Sequence, residues 1–134
     1  WFHLGANSNQ LFIYSLRRML DPIKEHVDNN FNPLPAEYTK EFAPVRQKIN
    51  DLMRMSCEQI ETNRYENYRE ILAEADACKD ELSVLRKKHI DRIQHLSDNS
   101  LMQISLVYLN VLQESQEFLS VMRHQLRAAK KFME

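Results

Sequence analysis

Apolar residues recur at steps of three and four along nearly the whole chain, the spacing that lays one stripe along the face of an α-helix. The last third is the plainest case. No glycine or proline interrupts it from Ser100 to Glu134, which predicts one helix roughly 50 Å long at about 1.5 Å of rise per residue. A helix of that length is not stable alone in water and must lie against partners of similar length. Its expected packing stripe is Leu101, Ile104, Tyr108, Val111, Ser115, Phe118, Met122, Leu126, Ala129 and Met133.

Three further helices precede it. Trp1 to Gly5 reads as a frayed lead-in, with Ser8 or Asn9 capping a first helix whose stripe is Phe12 or Ile13, Leu16, Leu20, Ile23 and Val27. Pro22 should bend that helix or restart it, because proline lacks an N–H and clashes with the preceding turn. Asp28, Asn29 and Asn30 favour its end, and Pro33 and Pro35 confine the connection to 31–35. Pro35 then suits the first turn of a second helix. That helix keeps one phase through Leu34, Tyr38, Phe42, Val45, Ile49, Leu52 or Met53, Ser56 and Ile60, so Pro44 should kink it without ending it. Thr62, Asn63 and Arg64 form the next break, with Asn63 expected to cap a third helix at Arg64. The third seam, Tyr68, Ile71, Ala75, Cys78, Leu82, Leu85, His89, Ile93 and Leu96, has coiled-coil-like spacing. Ser97 to Ser100 form a compact turn carrying a fresh cap.

Four helices joined by short connections are antiparallel neighbours, so the expected fold is all-α: an elongated antiparallel bundle of four helices filling residues 1–134 as one domain. A three-helix packing with the first helix partly detached, or engaging a segment missing from this chain, is the alternative. Composition supports helix throughout. The 134 residues contain a single glycine, against a typical share of roughly 7%, which disfavours hairpin-rich folds and Gly-rich phosphate loops. Eighteen basic and nineteen acidic residues leave a net charge of −1, too little for a long-range field that would draw in nucleic acid. Cys57 and Cys78 lie on different helices without ligand-like spacing and read as core thiols. No apolar run approaches the roughly 18–20 residues that cross a bilayer. The chain opens at Trp1 rather than at methionine, so a piece of a larger protein is expected.

The candidate chemistry is sparse. Asp76 and Asp80, at i and i+4, could share a divalent metal. At roughly 100° per residue, however, they lie about 140–180° from the core face of their helix. His89 falls on the seam, where a hydrogen-bonded core residue is expected. Ser56 and Ser115 also fall on seams and should bond to the backbone one turn back. No nucleophile, base and electrophile can be assembled, so no enzymatic activity and no cofactor are expected. Basic residues form two groups, Arg86, Lys87, Lys88, Arg92 and His95, then Arg123, His124, Arg127, Lys130 and Lys131. Antiparallel packing sends these to opposite ends, where they complement helix C-termini or touch anionic headgroups or an acidic partner. The turn Asp28-Asn29-Asn30-Phe31-Asn32-Pro33-Leu34-Pro35 is a rigid connector or, alternatively, a recognition loop.

Taken in order, several segments resemble a known arrangement. They are His26 to Leu34 (HVDNNFNPL), Lys87 to Ile93 (KKHIDRI), Ser105 to Ser115 (SLVYLNVLQES) and the tail to Phe132. Together they look like the cytoplasmic C-terminal region of bacterial sodium/phosphate cotransporter-family proteins, a region similar to PhoU domains, and the likeness runs from about Leu16 to Phe132. The resemblance implies a helical regulatory or assembly domain on the cytoplasmic face of the inner membrane. Its partners would be the transmembrane domain of the same polypeptide, a second copy of the chain, or the anionic membrane surface. It also implies a Glu/Asp-x-x-x-Asp metal pattern, which Asp76 and Asp80 satisfy literally. Asn110 lies off the main seam and is expected to bond a neighbouring helix or a partner. The interaction residues so indicated are Asp28, Asn29, Asn30, Phe31, Asn110, Arg127, Lys130 and Lys131. The alternatives are a metal-binding sensor built on Asp76 and Asp80, or a helical scaffold or signalling adaptor unrelated to transport.

Overall fold

The computed structural model describes the backbone of residues 2–31 and 34–133 and the side chains of residues 13–29 and 34–132. Four helices follow one another: α1 (Phe2–Phe31), α2 (Ala36–Thr62), α3 (Tyr68–Gln94) and α4 (Asn99–Met133). They pack as a four-helix bundle. α1 lies against α4 and α2, and α3 lies against α4 and α2. α2 and α4, which run parallel, also meet across the diagonal, whereas α1 and α3 do not touch among the described residues. Over its described side chains the first helix is packed into the bundle: Leu16 and Leu20 of α1 are fully buried and Val27 nearly so. Among the described residues no helix is long and apolar enough to cross a membrane.

The inward stripes of α2 and α3 follow their apolar periodicity. Phe42, Val45, Ile49, Leu52, Ser56 and Ile60 are buried on α2, and Ile71, Ala75, Cys78, Leu82 and His89 on α3. Pro22 and Pro44 both sit inside continuous helices. Ser56 Oγ donates to the Leu52 carbonyl (2.8 Å) and Ser115 Oγ to that of Val111 (2.7 Å), so each buried hydroxyl is satisfied within its own helix.

The helix ends depart from expectation. Residues 2–5 are helical, not a lead-in, and α1 runs on through Ser8 and Asn9. One glycine costs a helix about 1 kcal/mol against alanine, which does not stop it. Trp1 and the side chains of Ser8, Asn9 and Phe12 lie outside the described residues. α1 also continues through Asp28, Asn29 and Asn30 to Phe31, close to Pro33, where the chain can no longer supply helical N–H groups. Asn63 closes α2 instead of opening α3. It adopts the left-handed conformation (φ 53°, ψ 34°) with its N–H on the Ile60 carbonyl, and α3 begins only at Tyr68. Asparagine tolerates that conformation because its short polar side chain compensates locally. Glycine at position 63 is expected to leave stability within about 0.5 kcal/mol, and valine to lower it by about 1–2 kcal/mol; urea unfolding of the two variants is the check. The start of α4, by contrast, is as expected: Asp98, within the 97–100 turn, caps it, its carboxylate accepting from the Ser100 N–H at 2.9 Å.

The expected stripe on α4 also fails at its first two members. Leu101 and Ile104 are 46% and 37% exposed, and the inward positions there belong to Ser105 and Tyr108. Further along, Val111, Ser115, Phe118, Met122, Leu126 and Ala129 are buried as the period requires, joined by Leu112 and Leu119. The cause is the length of α1. Its His26 pairs with Glu114 of α4, so the remaining turn or so to Phe31 carries α1 only about as far as Leu109. Beyond that level α4 has lost one neighbour. The side chain of Met133 lies outside the described residues.

Candidate functional site

The densest polar constellation lies where the first turns of α2, the last turns of α3 and the first turns of α4 meet. Glu41 of α2 is its centre. Its Oε1 accepts from Arg92 Nη2 (2.7 Å) and from the Tyr108 hydroxyl (2.9 Å), and its Oε2 accepts from Lys88 Nζ (3.0 Å). Burial raises the Glu41 carboxyl pKa, but bonds from Lys88, Tyr108 and Arg92 and the charge of Arg92 outweigh it, and the net result lies below the ordinary 4.5. Arg92 also reaches Glu37 at 3.4 Å and lays its guanidinium 5.0 Å from the centre of the Tyr38 ring. Burial, reinforced by the hydrogen bond to Glu41, pushes the Tyr108 hydroxyl well above the ordinary tyrosine range.

His89 completes the cluster. Its ring is wholly buried and stands edge-to-face with Tyr38 (4.9 Å between centres) and Tyr108 (4.7 Å), while those two tyrosines stack at 4.7 Å. Nε2 lies 2.7 Å from the Ser105 carbonyl oxygen. A carbonyl only accepts, so Nε2 carries the proton and Nδ1 presents a lone pair, which finds no partner. The Tyr38 hydroxyl reaches Ser105 Oγ at 3.1 Å. His89 and Tyr108 are both wholly buried. Chemically the cluster can fasten three helices and take up one proton.

Its charged half is legible in outline from the chain. Glu37 and Glu41 on one helix, and Lys88 and Arg92 on another, are i, i+4 pairs of opposite sign, a matched signal for antiparallel neighbours. Read along α3 alone, the same basic residues look like a helix-end cluster. A second junction gives no such signal. Gln116 Nε2 donates to the Lys79 carbonyl (2.9 Å) and Ser83 Oγ (2.8 Å), and its Oε1 accepts from Arg86 (2.9 Å), which ties α4 to α3.

The residues singled out in the sequence do not converge. Asp76 and Asp80 stand one turn apart on exposed α3 surface, but Asp76 accepts from Arg123 of α4 at 3.1 Å. Among the described residues no group of three His, Cys, Asp or Glu side chains is gathered as metal ligands would be. Asp28 accepts from Arg46 Nη2 at 2.6 Å, fixing the last turns of α1 to α2. Asn29 is exposed, and the side chains of Asn30 and Phe31 lie outside the described residues. Asn110 is exposed, and among the described residues no hydrogen bond joins it to a neighbouring helix. Lys130 places its ammonium 5.1 Å from the Tyr68 ring centre at the opposite end from Glu41, and Arg127 and Lys131 are exposed there.

Two open grooves flank the bundle. One, of about 420 Å³, runs between α1 and α2 with Phe118 of α4 among its lining and Arg17, Asp21, Arg54, Glu58 and Glu61 around it. The other, of about 350 Å³, runs between α2 and α3 along Lys48, Asp51, Leu52, Met55, Glu74 and Cys78. Burial pushes the Cys78 thiol up to about 11 and raises that of Cys57, so both free cysteines hold their protons at neutral pH. No protein-family model, no curated protein and no solved structure matches the chain.

Proposed function

We propose that this bundle is a non-catalytic contact module, a regulatory or assembly domain that works by presenting helix surfaces. The resemblance to PhoU-like regions suggests the setting: the cytoplasmic face of a bacterial inner membrane, beside the transmembrane part of a sodium-coupled phosphate transporter. A second copy of the chain and the anionic headgroup surface are the other contacts in this reading. One observation supports it most. The densest interior polar groups are engaged between helices, with Glu41, Arg92, Tyr108 and Gln116 each bonded across a seam. The residues left open to a partner lie on outer surfaces, among them Asn29, Asn110, Arg127 and Lys131.

The test uses the parent protein in cells. Removing residues 1–134 is expected to change sodium-dependent phosphate uptake, its regulation or the assembly of the transporter. The pair Asn110→Ala and Arg127→Glu, both at exposed positions, is expected to weaken assembly in pull-down while thermal stability of the isolated bundle holds. Uptake, regulation and assembly all unchanged after the deletion would sink the transporter reading. Loss of stability in the point variants would assign those two residues to the fold and not to a contact.

A further inference from the structure

We propose that the His89 end of the bundle is an acid-released latch, in which one proton added at Nδ1 frees the first turns of α4 from α3 while the rest of the bundle stays folded. The first support is what holds those turns. α1 stops near the level of Leu109, and Leu101 and Ile104 are left 46% and 37% exposed, so the apolar burial that secures α4 there rests mainly on Tyr108. The bonds that do secure it run through the polar cluster: His89 to the Ser105 carbonyl, Tyr38 to Ser105 Oγ, and Tyr108 to Glu41.

The second support is what a proton at Nδ1 would meet. The groups facing the ring are Glu37, Tyr38 and Glu41 from α2, Lys88 and Arg92 from its own helix, and Ser105 and Tyr108 from α4. α1 does not touch α3 among the described residues and adds none. Both Glu41 oxygens are already occupied by Lys88, Arg92 and the Tyr108 hydroxyl. An imidazolium would therefore be a third cation beside a carboxylate that already takes three donors, with its own ring wholly buried, a costly arrangement. Swinging the first turns of α4 outward opens the ring to water and removes that cost.

The direction in pH follows. Burial holds the His89 pKa below the ordinary 6.5, with the Arg92 charge acting the same way, against the Ser105 bond and the charges of Glu41 and Glu37. The open form therefore binds the proton more readily than the closed form. Closure weakens as pH falls through the ordinary histidine value and stops weakening below the closed-state value. One proton limits the slope to about tenfold in the closing equilibrium per pH unit. Glu41 stays ionised across this window because its own pKa is lowered.

Amide hydrogen exchange on the full chain at pH 7.5 and 5.0, corrected for intrinsic rates, reads the latch. Wild type is compared with His89→Gln, whose amide can still donate to the Ser105 carbonyl but does not titrate. In wild type, protection over residues 103–109 is expected to fall by up to about tenfold per pH unit below 6.5, while protection of the buried turns around Leu16, Leu20 and Leu119 holds. In His89→Gln that pH dependence should vanish; His3, His26, His95 and His124 are common to both proteins. An equal loss in the variant, or a uniform loss along all four helices, overturns the proposal. Should the variant fail to fold, imidazole 15N shifts of wild type decide. Titration of His89 in step with the loss of protection supports the latch, and loss of protection without that titration overturns it.

Discussion

Replacing Glu41 with alanine is expected to destabilise the bundle by about 3 kcal/mol, a large part of the roughly 5–15 kcal/mol that holds a domain of this kind together. The Glu41 side chain is only 12% exposed, and that of Arg92 only 24%. Alanine removes the one acceptor shared by Arg92, Lys88 and the Tyr108 hydroxyl. Two cations then face each other, and a buried phenol loses its partner. Exposed ion pairs behave differently: Lys48–Glu81, with both side chains about half exposed, is screened by solvent and should contribute far less. Glu41→Gln keeps an acceptor without the charge and should cost less than the alanine variant. Urea midpoints at pH 7 with an unchanged slope measure the difference, and a loss under about 1 kcal/mol would reduce the cluster to surface pairing.

The same carboxyl sets an acid limit. Because its folded pKa lies below the ordinary 4.5, its stabilising contribution is complete above that ordinary value. It is lost as pH falls through the folded value, where protonation removes the acceptor. Glu41→Gln should lack this acid loss. The effect is separate from that of His89, which acts at higher pH.

The largest expected effect of all is in the apolar core. Phe42→Ala should cost about 3–5 kcal/mol, enough to unfold much of the population if the bundle lies at the lower end of domain stabilities. Phe42 is wholly buried on the diagonal where α2 meets α4, edge-on to Tyr108 with ring centres 6.5 Å apart. With Val27, Ile49 and Phe118 it lines a small cleft of about 20 Å³, which truncation would enlarge. Val84→Ala, at a position 65% exposed, should stay within about 0.5 kcal/mol. Equal losses at the two positions in thermal unfolding would contradict the placement of the core.

Much of the core is legible in the order of residues alone. The seams of α2 and α3 obey their apolar period almost residue by residue, since a helix has one buried side and the period reports it. His89, Ser56 and Ser115 fall on seams for the same reason. The departures cluster at helix ends. Asn63 reads equally well as the stop of one helix or the cap of the next, because both uses satisfy orphan backbone groups. Leu101 and Ile104 keep the stripe in sequence yet stand half open, because no pattern within α4 says where α1 stops. Asp76 reads from the chain as a solvated carboxylate or metal ligand, and its bond to Arg123 depends on how α3 and α4 are turned about their axes.

What the sequence determined by itself is therefore the set of inward faces, the four helices and their short connections, all properties of a chain read against its own period. What only the tertiary structure decided is which charge meets which. Glu41 lies 47 residues from Lys88, 51 from Arg92 and 67 from Tyr108 along the chain. Their meeting depends on the axial offset and rotation of three helices, which are set by how the buried side chains of the core pack against one another. Periodicity fixes a direction around one axis; packing fixes the position of one axis against another, and both the polar cluster and its buried histidine exist only at that second level.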